Sequence, residues 1–414
     1  MTLVIDSGTT NTKAFVFDGK GKILEYTYCK TKTYYPENKF VEQKADDWWK
    51  AFVSCVRKLK NKKISKIVIT TQGGTFVPLD KNLNPICNGI TWLDTRSSKV
   101  AEDINKIYGR KYFYFKTGHF IDGWAPLSII LWLKRYKPEI YSKIWKISFV
   151  SDYLNFKLTG KFFIDKTNAG MTTFYNIGKD KWDEELIKIA GIKEEFLPEI
   201  VSSGKIGGYL RKESARILDL EENTPIISGG HDQYCASFGA GVKDVGDCLL
   251  SCGTAWALLI LTDKLIFPSE TNWRPGRYLI ENKFGLMGPI SSGCCILDWA
   301  KRVFKGLKNC KILDKINVEV VPYFSEGKGE IKNLSLSTKP EEIYFACLKS
   351  LVFQVKNYIE QIKDKIEIKR FFLVGGGAKE KFLPGWVKEI TGKDIIIPEI
   401  KEGASYGAYL LTKL

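Results

Sequence analysis

Histidine is scarce: the chain of 414 residues has two, His119 and His231. A lone imidazole is more often structural than catalytic, so His231 is read as a positioning group. None of the ten cysteines makes a C-x-x-C pair, and the adjacent Cys294 and Cys295 suit neither a zinc knuckle nor an ordinary disulfide. Buried, reduced thiols in a cytoplasmic protein are expected. No G-x-x-x-x-G-K-[ST] run occurs, which excludes a P-loop. Apolar runs such as "PLSIILWL" fall far short of the ~18 residues that span a bilayer, and Asp6 stands where a signal peptide would be apolar. Net charge is +16, yet the lysines are spread along the chain without an arginine-rich tract, so a solvated surface is expected rather than nucleic-acid binding.

What is present is enough for cores. Hydrophobic residues make up 44% and aromatic residues 13%, and the length fits two domains. The chain opens as three strands, the third at about 22–28. A helix follows at about 45–61, with Trp49, Phe52, Val53, Val56 and Leu59 on one face and Asp46 and Asp47 in its first turn. "KIVITT" (66–71) reads as a buried strand, and Pro126 as the first residue of a helix. "DCLLSCGTAWALLIL" (247–261) repeats the opening plan of strand, turn and strand. A helix at about 340–363, a strand before Gly375, a strand near 395 and a helix near 405 close the chain. Two halves that each begin with a Gly-Thr hairpin point to a duplicated fold, with a seam near 241–246.

The turns carry the chemistry. In "VIDSGTTNTKAFVFD" (4–18), Gly8 admits close approach of a ligand, and Thr9, Thr10 and Thr12 offer hydroxyls. Lys13 adds a charge, and Asp6 would welcome the Mg²⁺ that accompanies a phosphate. Gly253 and Thr254 offer a second anion nest. In "PIISGGHDQYCASFGAG" (225–241) a strand over 225–228 is expected to break at Gly229 and Gly230. Asp232 then reads either as a helix N-cap or as a base that takes the proton of an attacking alcohol. "FLVGGGAK" (372–379) lacks G-x-G-x-x-G spacing, but its bare backbone suits a flat adenosine.

These segments, in this order, resemble the FGGY family of carbohydrate kinases, within the actin-like, ribonuclease-H-type ATPase superfamily. The resemblance runs through "IDSGTTNTK", "TQGGTFVPLD", "ITWLDTR", "SDYLNFKLTGKFFIDKTNAG", "GGHDQ", "LLSCGTAW", "VPYFSEGKGE", "LVGGGAK" and "EGASYGAYLL". It implies an α/β fold of two ribonuclease-H-like domains with a deep interdomain cleft. Residues 1–243 would bind sugar and carry Asp232, the general base; residues 244–414 would bind ATP. Mg²⁺ would be held by Asp6 and Asp232. The nucleotide would meet Gly8, Thr9, Thr10, Asn11 and Lys13, then Gly253, Thr254 and Gly293, then Gly375, Gly376, Gly377 and Ala378. The sugar would meet Gln72, Gly73, Gly74, Thr75, Trp92, Asn168, His231, Asp232 and Gln233.

The implied activity is ATP-dependent phosphorylation of a ketose such as xylulose, fuculose or rhamnulose, or of a related polyol. Expected partners are that small molecule alone, without nucleic acid or membrane, and a homodimer is left open. Glycerol kinases carry Arg-Glu after the glutamine and xylulokinases Met-His, where this chain has Gly73 and Gly74. That argues against glycerol, and "GGHD" with "SCGT" leans toward deoxyketoses. Other readings are an actin-like ATPase, an iron–sulfur activase and a non-phosphorylating sugar sensor.

Overall fold

The computed structural model describes residues 1–60, 63–268, 271–290, 292–304, 307, 316–324 and 327–414. They form two compact units. One comprises Met1–Gly239, Pro275–Phe284 and Glu402–Leu414; the other comprises Ala240–Arg274 and Gly285–Lys401. The "VPYFSEGKGE" segment lies partly outside the described residues.

The first unit is built on a six-stranded sheet of β1 (Thr2–Ser7), β2 (Asn11–Phe17), β3 (Ile23–Lys30), β4 (Lys66–Thr71), β5 (Ile206–Tyr209) and β6 (Pro225–His231), in the order β5-β6-β4-β1-β2-β3. β1, β2 and β3 form an antiparallel meander, while β4 runs parallel to both β1 and β6. The central strands β1 and β4 read as unbroken apolar runs because both faces are covered. The edge strand β3 alternates instead, with Leu24, Tyr26 and Tyr28 facing outward.

Helix α1 (Ala45–Lys58) covers this sheet. Its acidic first turn and basic last turn, Arg57 and Lys58, suit the helix dipole. Its buried face is Trp48, Ala51, Phe52, Cys55 and Val56. Of the expected face, Phe52, Val56 and Leu59 lie in the core, while Trp49 and Val53 sit on its half-buried flank. The Trp48 indole N–H, donating to Gln43 at 2.9 Å, draws that ring inward. The helix stops short of 61, a position outside the described residues.

β6 also departs from expectation. It continues through Gly229 and Gly230 to His231 instead of breaking at them. The glycines allow a bulge, a register shift between Ile227 and Gly230 against β4. α2 (Asp232–Ala240) starts at once, so Asp232 sits where strand turns into helix.

The second unit repeats the plan. It is built on β7 (Asp247–Cys252), β8 (Trp256–Thr262), β10 (Phe284–Ile290), β11 (Arg370–Val374) and β12 (Asp394–Ile396), in the order β10-β8-β7-β11-β12; β9 (Arg274–Arg277), most of which belongs to the first unit, precedes β10 in the chain. β7 pairs antiparallel with β8 and parallel with β11, as β1 does with β2 and β4. Around it lie α3 (Cys294–Val303), α4 (Pro340–Glu360) and α5 (Leu383–Thr391). Of the face that the spacing of α4 predicts, Ile343, Ala346, Val352, Val355 and Ile359, the first four are buried in a core with Leu250, Leu258 and Phe371, and Ile359 is half-buried against it. Among the described residues, no helix is long and apolar enough to cross a membrane.

Candidate active site

In the first unit the β1–β2 turn is closed by the Gly8 N–H, which donates to the Asn11 carbonyl at 3.0 Å. Register sets Asp6 opposite Lys13 on one face of the sheet. The Lys13 ammonium is held at 2.7 Å by Glu402, just before the last helix, Gly403–Leu411. The Thr12 hydroxyl is buried, 3.4 Å from that of Thr31; Thr10 is exposed.

Thr9 is a hub. Its hydroxyl donates to Gln72 Oε1 at 2.7 Å and accepts from the Trp92 indole at 3.0 Å. Its carbonyl accepts from Gln43 Nε2 at 2.9 Å, and Gln43 Oε1 accepts from Gln72 Nε2, also at 2.9 Å. The hydroxyl read as a phosphate ligand thus ties the hairpin to Gln72 and Trp92. The Trp92 backbone N–H in turn donates to the Thr75 hydroxyl at 3.3 Å. Gln43 is fully buried and was not foreseen, since nothing in "VEQKADD" marks it.

Asp232, at the head of α2, keeps 29 % of its side chain open. Burial pushes its carboxyl up to about 6, while the Gln233 N–H pulls the other way. Asp6 rises to about 7, first through burial and then through the Asp232 charge; Lys13 opposes this and Glu402 adds to it. Both native pKa values lie above the usual carboxylate value, so the folded state binds protons more tightly than the unfolded chain. Stability is then lost as pH rises from about 4 through about 7. Asp6→Asn is expected to raise the Tm of the unliganded protein at pH 8 and leave it unchanged at pH 4, measured by thermal unfolding at both.

Support comes from the short helix Lys166–Gly170. Asp165 accepts from Asn168 Nδ2 at 2.6 Å and from the Thr167 hydroxyl; the Thr167 oxygen accepts the His231 N–H at 2.8 Å. The Asn168 amide is therefore engaged with Asp165 and, at 3.4 Å, with the Thr71 hydroxyl. Burial raises the Asp165 carboxyl, and Thr167 and Asn168 hold it back. The His231 ring, fully enclosed, is pushed down to about 4 and is neutral. Gln233 Oε1 is buried with no hydrogen-bond partner among the described residues. Gly73 and Gly74 complete this cluster, Gly74 at φ +74° beneath Trp92 and Trp124.

In the second unit Gly253 and Thr254 form the β7–β8 turn, and Thr254 is exposed. Their carbonyls accept the N–H groups of Cys294 and Cys295, at 3.0 and 3.1 Å, which pins the turn to the start of α3. Only glycine fits at 293, where a Cβ would stand 2.5 Å from Trp256 Cδ1 and 2.7 Å from the Thr254 carbonyl. Gly375, at φ +91°, lies as close to Cys252. Gly375 and Gly376 are exposed, while Gly377 and Ala378 are buried. Glu380 closes this turn, bound by Lys301 and the Tyr344 hydroxyl, each at 2.9 Å.

Both units thus present a hairpin turn from the first two strands of the same sheet plan, one beside two carboxylates and one beside bare glycine backbone. The sequence profile for the N-terminal domain of the FGGY family of carbohydrate kinases matches residues 1–239, and that for its C-terminal domain matches residues 312–413. The chain belongs to the FGGY family of carbohydrate kinases. It is an enzyme that transfers a phosphoryl group from ATP to a sugar hydroxyl. The glycerol kinase of Thermococcus kodakarensis is 25% identical over 100% of this chain and 88% of its own length. The gluconokinase of Bacillus licheniformis is 26% identical over 99% of this chain and 86% of its own. The crystal structure of the xylulose kinase from Lactobacillus acidophilus superposes with a TM-score of 0.93 at 23% identity, over 100% of this chain and 89% of that one. The fold is that of FGGY kinases, two ribonuclease-H-like units of the actin-like type.

Proposed function

We propose that this FGGY kinase phosphorylates an uncharged ketose or polyol, with Asp232 as general base. The observation that carries this is the state of Asp232, a partly open carboxylate at a strand-to-helix junction whose pKa is raised to about 6. Such a group is ionised at neutral pH yet basic enough to take an alcohol proton as the phosphoryl group transfers. His231 and Gln233 supply neutral hydrogen-bonding groups for the acceptor, and Gln72 and Trp92, both bound to Thr9, would line its site. Lys13, the cation of the β1–β2 hairpin, is already paired with Glu402, so no charge awaits an aldonate there. The segments around Gly253, Gly293 and Gly375–Ala378 serve the nucleotide, together with the hairpin at Gly8–Lys13.

Mg²⁺ enters as the partner of ATP. Among the described residues, no group of three or more His, Cys, Asp or Glu side chains is placed to hold a metal alone. Asp232 and Asp6, whose proton affinity the Asp232 charge raises, fit a divalent ion whose other ligands are phosphate oxygens and water. Bound there, Mg²⁺ would neutralise phosphate charge. The nine described cysteines are free thiols, in keeping with a reducing cytoplasm.

The test is a panel of ketoses, aldoses, polyols and gluconate, scored by ADP release. Release stimulated by an uncharged ketose or polyol is expected. A preference for gluconate, or release indifferent to every acceptor, would overturn the reading.

A further inference from the structure

Gly73 has no side chain because another residue fills its room. A Cβ there would lie 2.6 Å from Cδ2 and 2.9 Å from Nε2 of His231, and 2.7 Å from Cγ of Met171. The imidazole is well fixed. Its backbone N–H donates to Thr167, its ring meets Tyr234 edge-on at 5.9 Å, and the residue is only 7 % exposed. Yet, among the described residues, Nδ1 has no hydrogen-bond partner. Asp232 Oδ1 stands 3.5 Å away, too far for a formed bond. A buried, pre-set polar atom left unpaired beside the reacting carboxylate is costly unless a ligand pairs it. Gln233 Oε1, on the next residue of α2, is unpaired as well.

We propose that His231 determines acceptor specificity, its imidazole standing in for the side chain absent at 73 and its Nδ1 holding the hydroxyl adjacent to the one that Asp232 activates. This rests on the base role assigned to Asp232 above. Two polar atoms 3.5 Å apart meet neighbouring hydroxyls of one carbon chain, so the acceptor is a vicinal diol. A pocket built to bind a hydroxyl rejects an analogue lacking it, since its own groups are then left unpaired.

The probes are D-xylulose, L-fuculose and L-rhamnulose, each with an analogue deoxygenated beside the phosphorylated carbon. His231→Leu is expected to raise the acceptor KM at least about 10-fold, with the ATP KM unchanged, and to erase the preference for the parent sugar over its deoxy analogue. His231→Asn places an amide nitrogen near the Nδ1 position and is expected to restore most of that preference. Gly73→Ala drives a methyl group into the ring and should behave as His231→Leu does. An acceptor KM within about twofold of wild type in His231→Leu, or equal loss on parent and analogue, would overturn the specificity role. So would failure of His231→Asn to rescue at unchanged Tm. Those results with Asp232→Asn inactive reject only the role of His231. Turnover retained in Asp232→Asn rejects the base assignment beneath it, and turnover of none of the three sugars rejects both.

Discussion

Asp232→Asn is expected to lower kcat by about 10²–10⁴-fold while the protein folds and binds ATP as before. The amide matches the carboxylate in size but cannot take a proton. It can still accept the Gln233 N–H, which favours the ionised group in the native enzyme. The wild-type pH profile carries the same signature. A base with a pKa of about 6 must be ionised to act, so kcat/KM should fall as pH drops through that value, tenfold per unit below it. Steady-state kinetics across pH 5–8 on both proteins check this, and a variant within about fivefold of wild type would remove Asp232 from the chemistry.

The second large effect is on stability. In Gly229→Ala the new Cβ would stand 1.8 Å from the Ile69 carbonyl oxygen and 2.8 Å from its carbon. Both are backbone atoms of β4, which no rotamer change can move. The strands must part at the bulge that presents Asp232. A cost of about 3 kcal/mol or more is expected, a fall in Tm of roughly 10 °C for a unit of this size. Gly19→Ala, with nothing within 4 Å of its Cβ, is the control and should leave Tm unchanged. Equal melting of the two variants would show that the close approach of β6 to β4 has been misjudged.

Much of this was legible in the sequence because it is written locally. The apolar runs of β1, β4 and β7 declare buried strands, and the spacing of α4 declares its core face. The Gly-Thr hairpins fell where the strands demanded them. What escaped was decided between distant segments. Trp48 rather than Trp49 faces the core because Gln43 receives its indole, and Glu402 reaches Lys13 across most of the chain. Asp165 orders Thr167 and Asn168, yet in sequence it is one more acidic residue before a short helix. The hydroxyls of Thr9 and Thr12 look alike in "GTTNT", but one pairs with Gln72 and the other lies buried beside Thr31. Gly229 and Gly230 looked like a strand end because glycine weakens strands, whereas here its missing side chain lets one strand press against the next.

The bond between Lys13 and Glu402 also sets a timetable. The last helix lies so close to α2 that a Cβ on Gly407 would stand 1.8 Å from the Cys235 carbonyl oxygen. During synthesis the β1–β2 hairpin therefore waits until residue 402 has left the ribosome before its lysine finds its counter-ion. A chain truncated before Glu402 would hold Asp6 and Asp232 without the element that braces Lys13.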